Sequence, residues 1–165
     1  MENFSGLTPE EKARLLDLEK SVALDNARPI IKKDFLSFVK YVWPEFIEGS
    51  HHKKINKKFN DLAQGKIKRL IINMPPRHTK SEFASYLLPA WMVGLDPRLK
   101  IIQATHTADL AVDFGRKTKN LVDQPNYKEL FDTRLMEDSQ AAGKWKTEQG
   151  GEYFAAGVGG AITGR

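Results

Sequence analysis

A chain of 165 residues, 41% hydrophobic and 28% charged, is long enough to bury a core of its own and too balanced in composition to be disordered throughout. Having no cysteine, it can build neither a disulfide scaffold nor a thiolate zinc site, and nowhere does it run through the roughly 18 apolar residues of a membrane-spanning helix. The net charge of +5 is concentrated, since residues 50–82 hold nine Lys and Arg against two acids and everything else sums to −2.

Thr8-Pro9-Glu10-Glu11 has the form of a helix start, with a capping hydroxyl, proline in the first turn and acids at the positive end of the helix dipole. The helix is expected to reach about Asn26, carrying Leu15, Leu16, Leu18, Val22 and Leu24, and to end or bend at Pro29. A second helix is predicted over about 33–42, with Phe35, Phe38, Val39 and Val42 on one face. A third is predicted over 51–63, with Ile55, Phe59 and Leu62 opposite the lysines and Gly65 closing it. Together these form a leading helical subregion, residues 1–65.

From Lys66 the pattern changes. Arg69-Leu70-Ile71-Ile72-Asn73 reads as a buried strand, 74–79 as a loop and 80–91 as a helix that Pro89 could interrupt. Residues 99–105 read as a second strand. Residues 107–122 read as a helix capped by Thr107, with Leu110, Ala111, Phe114 and Leu121 inward. Strand, loop, helix, strand, helix predicts a parallel α/β sheet with crossover helices over residues 66–165, in which the first two strands are parallel neighbours or near neighbours. Lys144-Trp145-Lys146-Thr147 and Tyr153-Phe154-Ala155-Ala156, on either side of Glu148-Gln149-Gly150-Gly151, predict a hairpin.

The loop carries the chemistry. A nucleotide phosphate needs backbone N–H groups in a concave loop, a helix N-terminus beneath it, a lysine to reach the terminal phosphates and a hydroxyl for magnesium. Lys80 and Ser81 stand where a strand–loop–helix would put the last two. The usual pattern has glycine six residues before the lysine and again just before it, whereas this chain has Met74 and Thr79. Read without function, Pro75-Pro76 is a stiff turn and Lys80-Ser81 an ordinary helix start.

Met74-Pro75-Pro76-Arg77-His78-Thr79-Lys80-Ser81-Glu82 resembles the deviant Walker A motif of the large terminase subunit of tailed bacteriophages, usually Pro-Pro-Arg-His-Gly-Lys-Ser. Further stretches resemble the same family in order and spacing. They are Ala104 to Ala111 with Phe114-Gly115-Arg116, then Tyr127 to Phe131, then Trp145 to Tyr153 followed by Gly157 to Arg165. The resemblance covers about residues 32–165. It implies a P-loop NTPase-like fold and the ATPase portion of a DNA-packaging motor, with ATP and Mg2+ as cofactors. It implies that Pro76, Arg77, His78, Thr79, Lys80 and Ser81 surround the nucleotide, that Ser81 holds the Mg2+ through bound ATP, and that Lys80 with Arg77 or Arg165 acts on the transferring phosphate. Implied partners are double-stranded DNA, the portal protein and the small terminase subunit, in a homo-oligomeric ring in the host cytoplasm, away from membranes. In that family a Walker B strand and an RNase H-like nuclease domain follow, so this chain is expected to be the N-terminal part of the ATPase domain and to turn ATP over barely or not at all alone. Two other readings stay open: a non-catalytic basic α/β module that binds nucleic acid or protein, and a piece of another P-loop ATPase or helicase.

Other residues have plainer readings. His51-His52 lacks a third ligand at metal spacing and reads as a helix N-terminus. Trp43 and Phe46 could stack on a base, though aromatic core is the better reading. His106 follows the second strand, where α/β proteins place ligands. Asp109 and Asp113 form a carboxylate pair beside Arg116 and Lys117, as on a solvated salt-bridged face.

Overall fold

The computed structural model describes residues 8–159. Thr8 opens the first helix as its sequence requires, accepting the Glu11 N–H on its hydroxyl at 3.3 Å and donating its own N–H to the Glu11 carboxylate at 2.8 Å. Helix α1 spans Pro9–Lys33 and passes through Pro29 without ending. Proline's fixed φ suits a helix, but at this position it removes the donor to the Asp25 carbonyl and crowds that carbonyl with its ring. Most of the apolar residues predicted for this helix stay outside the core; Leu16, Leu18 and Val22 are exposed, and burial begins near Leu24 and Ile31.

Asp34, with extended backbone (φ −129, ψ 118), separates α1 from α2, Phe35–Val42. Its side chain caps α2 and is held in turn by α3, Ser50–Ala63. One carboxylate oxygen accepts the Ser37 N–H at 2.9 Å, and the other accepts the side-chain amides of Asn56 and Asn60, each at 2.7 Å. Those amides give back an acceptor apiece, Asn60 to the Phe35 N–H at 2.9 Å and Asn56 to the Leu36 N–H at 2.8 Å. The three N–H groups that open α2 are therefore all satisfied. Burial alone would raise the Asp34 carboxyl, but the hydrogen bonds from Asn56, Asn60 and Ser37 outweigh it and hold the group below the usual range. At the other end of α3, Gly65 takes φ +71, donating to the Leu62 carbonyl while Lys66 donates to that of Asp61, which is the glycine-closed end the sequence predicts.

The fold is α/β with a four-stranded mixed sheet. Its strands are β1 Lys100–Thr105, β2 Leu135–Ala141, β3 Lys144–Thr147 and β4 Glu152–Gly157, in the order β1-β4-β3-β2. This corrects the expected parallel sheet. Only β1 and β4 are parallel, running from Lys100 opposite Glu152 to Thr105 opposite Gly157; β4, β3 and β2 form an antiparallel meander. It also corrects the first expected strand. Residues 69–73 join no ladder, and β1 takes β4 as its neighbour instead. Side chains there still alternate, with Leu70, Ile72 and Met74 packed against the core and Ile71 exposed. The period of two is present in the sequence, but a strand also needs a partner edge, and these residues have none among those described.

The hairpin forms as predicted, with Trp145 opposite Tyr153 and their rings stacked 4.9 Å apart. Helix α5, Ala108–Asp123, is capped by Thr107 and packs on β1 and β4. Ala111, Phe114 and Leu121 are buried as expected, but Leu110 is exposed. Gly115 permits that packing, because a Cβ there would lie 2.5 Å from the Ala142 carbonyl oxygen. A short helix missed in the sequence, α6 Pro125–Leu130, ties back through the Tyr127 hydroxyl, which donates to the Ala90 carbonyl at 2.7 Å.

The chain after the loop is helical from Lys80 to Leu95, in two parts. Glu82–Leu87 is a π-helical turn, in which the Leu88 N–H reaches back five residues to the Phe83 carbonyl; α4, Leu88–Leu95, then regains the tighter spacing. Pro89 does not end it. One core cluster joins α2, α3, the π-turn, α4, α5, α6 and the sheet across residue 65. Phe35 lies near its centre, meeting Phe59, Phe83 and Trp91 edge-on at 4.9, 5.3 and 5.6 Å.

Candidate functional site

The loop from Pro75 to Thr79 lies between the alternating segment and the helix beginning at Lys80. Two of its residues have left-handed backbone, Arg77 (φ 63) and Thr79 (φ 58), and among the described residues no other non-glycine does. For a β-branched threonine this conformation is an outlier, costing about 1–2 kcal/mol. Thr79 occupies the position just before the lysine where the phosphate-loop pattern has glycine, so the backbone keeps the shape that glycine adopts freely while the side chain departs from it.

Hydrogen bonds show what holds it there. The Gly49 N–H donates to His52 Nδ1 at 2.8 Å, so that nitrogen is an acceptor and the proton lies on Nε2. His52 Nε2 then donates to Thr79 Oγ1 at 2.6 Å, and the threonine hydroxyl donates to the His78 carbonyl at 2.6 Å. His52 is only 4% exposed, against Phe46 and Phe83. Burial first, then the neighbouring His51, push its basicity below that of a free imidazole; Glu48 works the other way, and His78 adds a smaller lowering. The ring is therefore neutral near pH 7. A further bond, from His78 Nδ1 to the Pro76 carbonyl at 2.8 Å, closes the loop on itself.

The loop and first helical turn border a cleft of about 410 Å³ lined by Pro75, Pro76, Arg77, Thr79, Lys80, Ser81 and Glu82. Arg77 and Lys80 are exposed, and neither has an acidic partner among the described residues. Glu82, the one acid lining the cleft, is engaged by Lys117 at 3.0 Å. No side chain among the described residues caps the helix at Lys80, the Thr79 hydroxyl being turned to the His78 carbonyl, and the Phe83 N–H donates to the Thr79 carbonyl at 2.9 Å. The N–H groups of Lys80, Ser81 and Glu82 have no acceptor among the described residues. Donors without acceptors beside unpaired cations suit an anion.

Comparison with protein-family models, with curated proteins and with solved structures returns no match.

The structure therefore brings Pro76, Arg77, His78, Thr79, Lys80 and Ser81 together on one loop and helix start. Arg165 lies outside the described residues. His51 and His52 sit against this loop, the His51 ring 5.7 Å from that of His78 and one buried nitrogen of His51 without a partner among the described residues. Phe46 packs between Trp43, His52 and Phe83 and belongs to the aromatic packing around the core. His106 is exposed beyond the end of β1, and Asp113 pairs with Arg116 at 3.0 Å on the exposed face of α5. Of the lysines on α3, Lys53 is drawn to Glu48, which Lys40 also holds, whereas Lys54, Lys57 and Lys58 are exposed without ion pairs among the described residues.

His52 as the loop's partner and Asp34 as the cap of α2 were both missed from sequence. The signals exist: His52 continues the buried stripe of Ile55 and Phe59 at spacings of three and four, and Asn56 and Asn60 share one helix face between lysines.

Proposed function

We propose that the loop of residues 75–81 binds the phosphates of ATP, and that the chain is the ATPase portion of a phage DNA-packaging motor, a terminase large subunit. The observation carrying this reading is the left-handed Thr79 directly before Lys80, which has no acidic partner among the described residues, at a helix start that no described side chain caps. In this reading the N–H groups of Lys80, Ser81 and Glu82 and the Lys80 ammonium bind phosphate oxygens, and Arg77 adds a second charge from the loop. Ser81, exposed in the first helical turn, would supply a hydroxyl toward Mg2+ held with the bound phosphates. Bound Mg2+ would neutralise charge developing on the phosphates; orienting the attacking water needs a carboxylate that this loop does not contain. Arg165 stays the rival of Arg77 as the arginine that stabilises the transferring phosphoryl group. Double-stranded DNA, the portal protein, the small terminase subunit, a homo-oligomeric ring and a place in the host cytoplasm belong to the same proposal.

Calorimetric titration with MgATP tests it. The parent should bind and Lys80→Ala should lose about a hundredfold in affinity, the scale of about 3 kcal/mol for a charge-assisted contact, with its melting temperature unchanged. Equal binding by both would remove the phosphate-loop assignment. The exposed Lys54, Lys57 and Lys58 would then favour the second reading, a basic α/β module that binds nucleic acid without hydrolysis.

A further inference from the structure

We infer that His52 is a positioning residue for the phosphate-binding loop, fixing through Thr79 the backbone conformation that Lys80 and the free N–H groups need. The inference rests on the ATP-binding reading but concerns a different element, the buried first turn of α3.

The argument begins with a conflict. At the position before the lysine the loop needs a left-handed residue, and Thr79 is one of the residues that adopt it least willingly. Something must compensate. The only side chain outside the loop that hydrogen-bonds Thr79 among the described residues is His52, at 2.6 Å. That bond is directional, because Gly49 occupies the other ring nitrogen and leaves Nε2 as the donor. The threonine hydroxyl passes its own proton to the His78 carbonyl, so one relay runs from the backbone of Gly49 through His52 and Thr79 to the loop backbone. The ring cannot swing away, being buried against Phe46, Phe83 and His51. A loop with glycine at residue 79 would need none of this; the histidine does here what glycine's freedom does elsewhere.

Two conservative replacements separate the ring's two bonds. Asparagine reaches where Nδ1 lies, so His52→Asn keeps an acceptor for Gly49 and loses Thr79. Glutamine reaches where Nε2 lies, so His52→Gln keeps a donor for Thr79 and loses Gly49. Titration with MgATP should show His52→Asn weaker than the parent by about tenfold, the equivalent of about 1.4 kcal/mol released from the loop, and His52→Gln within about threefold of the parent. In a Thr79→Gly background the same His52→Asn change should cost little, because glycine adopts φ near +60 unaided. A histidine that serves only as core packing would weaken both backgrounds alike. That result, or Asn and Gln variants that bind equally, overturns the inference. Nitrogen chemical shifts of the His52 ring give a second readout that needs no nucleotide: the Nε2 resonance should move in Thr79→Ala as its hydrogen bond is lost, while the Nε2–H tautomer, set by Gly49, is kept, and an unmoved Nε2 resonance overturns the inference. If Lys80→Ala binds MgATP like the parent, the ATP reading fails; the ring-nitrogen result still decides whether His52 holds Thr79.

Discussion

Two helix starts in this protein are finished in opposite ways, and α3 reaches both. At α2 the protein supplies every acceptor itself: Asp34, Asn56 and Asn60 take the N–H groups of Phe35, Leu36 and Ser37. At Lys80 the N–H groups of the first turn have no acceptor among the described residues, cations stand unpaired beside them, and the residue before the helix is held in a costly conformation by His52. The closed start contributes stability. The open one leaves those N–H groups unsatisfied, as the proposed phosphate contact requires. Side chains of α3 thus do contrasting work: His52 holds the loop at Thr79, and Asn56 and Asn60 join two helices.

The sharpest way to break the closed start is Asp34→Ala. It removes the cap and leaves the Asn56 and Asn60 amides without their acceptor, so unfolding by urea should show a loss of about 3 kcal/mol, summing a cap and partly buried unsatisfied donors. Lys80→Ala should leave that free energy unchanged, which is the contrast in one pair of variants. At the open start, Thr79→Ala keeps a left-handed non-glycine residue and discards the bond from His52, whereas Thr79→Gly discards the bond and relieves the backbone. The glycine variant should be the more stable by about 1 kcal/mol in thermal or chemical unfolding, the reverse of the order found inside helices.

Acid should undo the two sites in separate windows. His52 titrates below the 6.5 of a free imidazole, so as pH falls from about 6.5 the unfolded chain takes up its proton first. Stability is lost down to the depressed folded value and no further. Asp34 titrates below the 3.8 of a free carboxyl; its contribution is present above that value and is lost as pH falls through its own lower one. Urea midpoints should fall as pH drops below about 6.5 and again as it drops below about 3.8, and His52→Gln should erase only the upper fall. The smallest effect expected is on DNA. Replacing Lys54, Lys57 and Lys58 with Gln should flatten the salt dependence of DNA affinity by up to about one unit of slope per lysine, while Lys53→Gln, already paired with Glu48, should change it less. An unchanged slope would return all four lysines to a solvated helix face.

What could be read from sequence follows from how local each signal is. The capping of α1 by Thr8, the glycine-closed end of α3, the start of α5 at Thr107 and the β3–β4 hairpin depend on residues within a few positions of one another, and all four appear. Residues 69–73 show the limit. Alternation of Leu70 and Ile72 with Ile71 is a local property, but pairing depends on which edge lies alongside, and β1 is paired with β4. Leu16, Leu18 and Val22 show the same limit for a helix, since their spacing foretold a face but not whether anything would cover it. In the candidate site, Arg77 to Ser81 came together because they adjoin in the chain. His52 lies 27 residues from Thr79, and no pattern of period two or 3.6 announces a hydrogen bond over that distance.

The π-turn over Glu82–Leu87 has a consequence for counting. Its wide turn takes up one residue more than an α-helical turn, as the reach from Leu88 back to Phe83 shows. A helical wheel drawn through 80–95 at 3.6 residues per turn therefore places one end about 100° out of phase with the other. The inserted position works like a slipped tooth in a gear train, letting Lys80 and Ser81 point at the cleft while Trp91 meets Phe35 in the core. A sequence whose corresponding helix is α-helical throughout can be matched to this one at both ends only with a one-residue gap opened between residues 82 and 87.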